Sequence, residues 1–283
     1  MKSLSNYLKK LLPVLFSIIT IAVNAQKLPN VQQASIYAPA NIKIDGKATE
    51  WNNQYHAYNK STEVYYTIAN DDDNLYLVIH AVKPVIIQKI LSHRLVFSLR
   101  NLLKKTDKQD VAITYPLLKT QAVQNILHSL KVKLPDAIKD AAENGKQRDS
   151  LVNLMNNQFA GQSKEIIVSG IKDVSDTLSV YNETGIKAAA LFDNDRSYTY
   201  ELAVPLKYLG LPVSNPSSFS YTIKLNGSAT NNLNIRQSAD GRATIRSSAD
   251  GSGIAVILDS TPESLTLDYP TDFAGEYTLA KKQ

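Results

Sequence analysis

The sequence predicts a mainly β fold, an antiparallel β-sandwich with a helical insertion, and three observations carry that prediction. Short runs rich in β-branched and aromatic residues recur along the chain. Clusters of Asn, Asp and Gly separate them, as turns separate antiparallel strands. The helical stretch at about 117–160 interrupts strand-like sequence on both sides instead of alternating with it, which argues against a parallel α/β sheet.

In chain order, residues 1–25 have the parts of an export signal. Lys2, Lys9 and Lys10 open it, Leu11 to Val23 is an apolar run, and Val23-Asn24-Ala25 offers a cleavage site before Gln26. The run is shorter than the roughly 20 apolar residues that a membrane-spanning helix needs. The expectation is an exported product, periplasmic or extracellular, with residues 26–283 forming one domain. Ile42 and Ile44 before Asp45-Gly46 suggest a strand ending in a turn. The runs Val64–Ile68 and Leu75–Ile79 flank Asn70-Asp71-Asp72-Asp73-Asn74 and predict a β-hairpin.

Pro84 to Leu91 has the spacing of a short helix. Leu95–Leu99 and Val111–Tyr115 read as strands joined by a turn holding Lys104, Lys105 and Lys108. Gln121 to Leu130 is helical by the spacing of Val123, Ile126, Leu127 and Leu130. Pro135 opens a longer helix reaching about Phe159, with Gly145 a candidate break. This block is too short to bury a core of its own. Strands resume at Glu165–Val168, Ile186–Phe192 and Tyr198–Val204, the last two around the turn Asp193-Asn194-Asp195. Phe219, Tyr221, Ile223 and Leu225 alternate with polar residues, the period of a half-buried strand. Residues 226–253 are polar, carry Ser-Ala-Asp-Gly at 238–241 and again at 248–251, and predict a long mobile loop or a loose hairpin. Ile254–Leu258 and Tyr277–Leu279 are candidate closing strands.

Composition narrows the function classes. The chain has no cysteine, which removes disulfides, thiolate metal sites, cysteine nucleophiles and a lipid anchor at the cut. Its formal charge is +5, but removing Lys2, Lys9 and Lys10 from the 31 basic residues leaves 28 against 26 acidic ones. A near-neutral balance argues against a nucleic-acid partner. No Gly-x-Ser-x-Gly elbow, phosphate-binding loop or dinucleotide fingerprint is present. None of His56, His80, His93 and His128 pairs at the i, i+4 spacing of a helical zinc site. His80, inside the apolar run Val78–Val82, reads as a hydrogen-bonded structural imidazole. Glu50, Glu63 and Glu201 are carboxylates that glycoside hydrolysis could draw on, yet nothing in their spacing pairs them. The expectation is a protein without catalytic activity.

Three segments occur in a telling order: Ile44-Asp45-Gly46 with Glu50-Trp51, the hairpin Tyr66 to Ile79 with its acidic turn, and Tyr200-Glu201-Leu202-Ala203-Val204-Pro205-Leu206 running on to Leu209-Gly210. Together they resemble the carbohydrate-binding family 9-like β-sandwich, a relative of the DOMON domains. The resemblance implies two packed antiparallel sheets and, as in characterised members, a sugar held between aromatic side chains. Such binding needs flat ring faces against the C–H face of a pyranose and polar groups for its hydroxyls. A tryptophan sandwich needs two Trp residues, whereas this chain has Trp51 alone, inside the opening signature where a packing role is expected.

The ligand-contact candidates are Trp51 and the tyrosines Tyr55, Tyr58, Tyr65 and Tyr66, of which Tyr65 and Tyr66 face opposite sides of one strand. Some DOMON relatives bind haem through Met or His. Met155 is the one methionine after the cut and lies in the helical block, which argues against haem. Asp71, Asp72 and Asp73 are the candidate calcium ligands, with a hairpin turn the competing reading of the same residues. The expected function is a secreted, non-catalytic binding module for polysaccharide or oligosaccharide, with no nucleic acid, no stable membrane anchor and no cofactor beyond calcium. The alternative is an envelope scaffold or protein-interaction module that uses the helical insertion.

Overall fold

A computed structural model describes residues 27–100, 110–132, 141–211, 218–228, 234–237, 242–246, 256–259 and 262–282. Two antiparallel sheets form the body. The five-stranded sheet runs β1 (Ala57–Asn59), β2 (Val64–Asn70), β3 (Asn74–Ala81), β9 (Tyr198–Pro205) and β8 (Lys187–Phe192). The six-stranded sheet runs β14 (Thr271–Thr278), β10 (Ser218–Leu225), β4 (Leu95–Arg100), β5 (Val111–Tyr115), β6 (Glu165–Ser169) and β7 (Thr177–Ser179). The inner faces meet in one apolar core: Tyr66, Leu77, Ile79 and Leu202 from the first sheet, Phe97, Ile113, Tyr221 and Ile223 from the second. The hydroxyls of Tyr66 and Tyr221 bond across the sandwich at 3.0 Å, so two buried phenols satisfy each other.

The two sheets treat their outer faces differently. Strand β10 alternates buried and half-exposed residues, which leaves one face of the six-stranded sheet toward water. Strand β9 is buried at every position, so the five-stranded sheet is covered on both sides along this strand. The cover is the segment that precedes β1. Ile36, Ala38, Ile42, Ile44, Ala48 and Trp51 pack onto Ala69, Tyr76, Val78 and Ala203 of the outer face. The strand expected at Ile42–Ile44 is therefore absent: this segment lies across a sheet face, where it buries apolar side chains but has no ladder to join. Among the described residues its one backbone bridge to a strand runs parallel from Tyr37 to Asn70.

Side-chain amides close both edges of this sheet. Beyond the short β1, the amide of Gln32 takes up the free main chain of Ile68, accepting from its N–H at 2.8 Å and donating to its carbonyl at 2.7 Å. On the other edge, Asn156 does the same for Phe192, at 2.8 and 2.9 Å.

The helices pack onto the sandwich from the side of its core. Helix α1 (Pro84–His93) starts with Pro at its first position, where the missing N–H costs nothing. Helix α2 (Thr120–Lys131) buries Ala122, Val123, Ile126, Ser129 and Leu130, a single stripe at helical spacing. Helix α3 (Ala141–Gln162) runs through Gly145 without a break. Val123, Ile126, Met155 and Phe159 belong to the same apolar cluster as both sheets, so the helical insertion shares the core of the sandwich. Arg196, in the β8–β9 turn, donates to the carbonyls of Leu130 and Val132 and caps the C-terminus of α2.

The stretch expected as a long loop or a loose hairpin contains the hairpin: β11 (Asn234–Gln237) and β12 (Arg242–Arg246) pair antiparallel, and β13 (Val256–Asp259) joins them in a small third sheet. Two features depart from expectation. Residues 256–258 of the expected closing run belong to that third sheet and do not close the sandwich. The closing strand is β14, six residues earlier in its start than the Tyr277–Leu279 run suggested, preceded by a short helix α4 (Pro262–Asp268). The Lys-rich turn and Pro135 lie outside the described residues. No helix among the described residues is long and apolar enough to cross a membrane.

Candidate functional site

The expected ligand tyrosines and tryptophan divide sharply once folded. Tyr66 is fully buried between the sheets, its hydroxyl occupied by Tyr221 and by the main-chain N–H of Gln32 at 2.8 Å. Trp51 is 6% exposed and packs edge-on to Tyr76 with ring centroids 6.1 Å apart. Its indole N–H donates to Glu201 Oε1 at 3.3 Å. Both residues hold the fold together and neither presents a ring face to a ligand; this corrects the ligand-contact candidacy of Trp51 and Tyr66 and gives Trp51 the packing role expected of the opening signature.

Glu201 explains why the Asp45-Gly46 and Trp51 motif sits where it does. Its side chain projects from the outer face of β9 and is fully buried. Oε2 accepts from the backbone N–H groups of Asp45 at 3.1 Å and Gly46 at 2.9 Å, while Oε1 takes the Trp51 indole. Burial pushes this carboxyl up to about 7, against the pull of those three donors. Gly46 has φ +85° and lies directly on β8, where an added Cβ would come 2.5 Å from the carbonyl carbon of Ala190. Only glycine allows the loop to approach this closely.

The acidic turn resolves as a turn. Asp71 Oδ1 accepts from the N–H groups of Asp73 at 2.8 Å and Asn74 at 2.6 Å, and its Oδ2 accepts from the Tyr76 hydroxyl at 2.6 Å. With Asp71 fully engaged, the trio does not converge on a point, and no group of three His, Cys, Asp or Glu side chains that could hold a metal occurs among the described residues. The calcium candidates Asp71, Asp72 and Asp73 are corrected accordingly to hairpin residues.

Tyr55, Tyr58 and Tyr65 come together on the uncovered half of the same outer face. Antiparallel register places Tyr58 beside Tyr65, Tyr65 beside His80, His80 beside Thr199, and Thr199 beside Leu191 in one row across the sheet. Tyr55 stacks on the His80 ring, centroids 5.1 Å apart and planes within 11°. Tyr65 lies 4.7 Å from Tyr58 and 6.2 Å from His80, centroid to centroid. Thr199 lies beside the pair, and His80 Nδ1 meets its hydroxyl at 3.0 Å. Burial raises the Tyr55 phenol to about 12 and lowers the His80 imidazole, so both rings are neutral at ordinary pH.

A cleft of about 640 Å³ opens over Tyr55, His80 and Thr199. One wall is the loop Gly46 to Thr49 that Glu201 holds in place, and another is the β8–β9 turn Asp193-Asn194-Asp195. Helix α3 closes the third side with Val152, Asn153 and Asn156. Asp193 shapes its own turn, since Oδ1 accepts from the N–H groups of Asp195 at 2.9 Å and Ser197 at 2.8 Å. The cleft therefore combines a flat aromatic floor with amides, carboxylates, a hydroxyl and one lysine, Lys47, around its rim. Such an arrangement suits a polyhydroxylated ligand of one or two rings in size. Glu50 and Glu63 do not face each other here: Glu50 bonds Thr49, and Glu63 pairs with Lys83.

Sequence reasoning reached Tyr55, Tyr58 and Tyr65, and missed His80, Thr199 and the helix wall. His80 was within reach, because the β2–β3 hairpin turn fixes the register that sets it opposite Tyr65. Thr199 and Asn156 arrive through long-range pairing that no local pattern announces. Comparison with known proteins adds no relative: no family model matches the chain, and no curated protein matches it.

Proposed function

We propose that this chain is an exported, non-catalytic carbohydrate-binding module whose ligand lies in the cleft over Tyr55 and His80. The observation that carries the reading is the stacked Tyr55–His80 floor, part-buried yet facing an open cleft rimmed by Asn, Asp, Thr and Lys side chains. Aromatic faces take the C–H surface of a pyranose, and paired amides and carboxylates take its hydroxyls. The ordered resemblance to the family 9-like sandwich and the signal-like opening of the chain support the same reading.

The experiment is a glycan array followed by titration calorimetry with residues 26–283. The expected result is binding to at least one oligosaccharide, with Tyr55→Ala weakening it ten-fold or more, on the order of 1.4 kcal/mol or above, while thermal unfolding stays cooperative. Absence of binding to any glycan, with and without calcium, would end the proposal.

A further inference from the structure

Resting on the carbohydrate reading of this cleft, we propose that the sugar it selects carries a protonated amine, as a 2-amino-2-deoxyhexose does, and that Asp195 supplies the counter-charge. The charges on the cleft wall are unequal: Asp193 and Asp195 face Lys47. Asp193 is committed through Oδ1 to its turn, which fixes the carboxylate against the aromatic floor. Its negative charge lies near both Tyr55 and His80. Asp195 is exposed, and among the described residues its carboxylate makes no hydrogen bond or ion pair. The one contact of Asp195 is its backbone N–H, so its side chain is available without any cost to the fold.

Two consequences follow for ligand choice. An acidic sugar brings a carboxylate or sulfate toward two fixed negative charges, and like-charge juxtaposition is a strong rejection device. An ammonium group gains on both counts: it is attracted by the carboxylates and by the electron-rich faces of the stacked rings. A neutral N-acetylated sugar presents the same ring and hydroxyls without that gain. The geometry thus orders the ligands as amine-bearing, then neutral, then acidic.

The test is calorimetry of the full exported chain with three tetrasaccharides of similar length, namely a glucosamine oligomer, an N-acetylglucosamine oligomer and an oligogalacturonate, at mildly acidic pH where the sugar amine is charged. The glucosamine oligomer is expected to bind roughly five-fold or more tighter than its acetylated form, and added salt should narrow the difference. Asp195→Asn should erase most of that preference, bringing the aminated oligomer's affinity down toward that of the acetylated one, with the melting temperature unchanged. Equal affinities for the aminated and acetylated oligomers, or an equal loss for both in Asp195→Asn, would overturn the amine inference and leave the carbohydrate reading standing. Tightest binding by the oligogalacturonate would overturn it by reversing the sign. If none of these and no glycan on the array binds, both readings fall together.

Discussion

The outer face of the five-stranded sheet is two surfaces in one. On one half, the segment from Ile36 to Trp51 is laid down over Ala69, Tyr76, Val78 and Ala203, and Glu201 ties it there with every donor answered. On the other half, Tyr55 and His80 stay half-buried beneath a cleft, with Thr199 at its floor and Tyr65 alongside. Both halves use aromatic and polar residues from the same strands. What separates them is coverage, and coverage divides residues that hold the fold from residues free to meet a ligand.

The sharpest way to break this contrast is Glu201→Ala. Removing the carboxylate strands two backbone N–H groups and the Trp51 indole in a buried place, and charged hydrogen bonds of this kind carry about 1.5–3 kcal/mol each. A loss of about 3–5 kcal/mol in denaturant unfolding is expected, whereas Tyr55→Ala on the open half should cost less than half of that. Equal losses at the two positions would erase the distinction. Gly46→Ala comes next: its positive φ and the 2.5 Å approach to Ala190 should cost about 2 kcal/mol or more. It should also displace the wall that Gly46 and Lys47 give the cleft, so a variant of unchanged stability would refute the described loop seat.

Acid titration probes the covered half through Glu201. The Glu201 carboxyl is raised from 4.5 to about 7 by burial. Between those values the folded chain holds a proton that the unfolded chain has released. Its contribution to stability is complete below about 4.5 and is lost as pH rises through about 7. The native chain should therefore carry a component of stability that falls with pH across this window, opposite in sign to that of the half-buried His56 and His80, and Glu201→Gln should remove it; an identical profile in both would remove Glu201 as its source. The smallest effect belongs to Tyr58→Ala at the margin of the open half. A stability change under about 1 kcal/mol is expected for a half-exposed sheet residue, with glycan affinity as the more sensitive readout.

Most of the sandwich is legible in local pattern. The alternation of Phe219, Tyr221, Ile223 and Leu225 reports a strand with one wet face, and β10 is that strand. The Tyr198-to-Val204 run reports a strand, and β9 is that strand; its burial on both faces is hidden because Thr199 and Glu201 interrupt the apolar residues. The segment at Ile42–Ile44 misleads for a physical reason. Spaced isoleucines are equally suited to a strand and to an extended cover lying over one, and only the partner surface decides. The same holds for site residues. Trp51 and Tyr66 look as available as Tyr55 and Tyr65 until the packing of two sheets and a covering loop assigns each ring a side.

The paired amides of Gln32 and Asn156 have a consequence beyond the monomer. A bare sheet edge is a template on which any extended chain can add itself, including a second copy caught part-folded. Here each amide presents one C=O and one N–H to the rung an incoming strand would need, at Ile68 on one flank and Phe192 on the other. A newcomer would have to evict a side chain already making both bonds before gaining any of its own. These two residues act as stoppers against fibrous growth, and Gln32 and Asn156 are the two places where the sheet would first be opened to it.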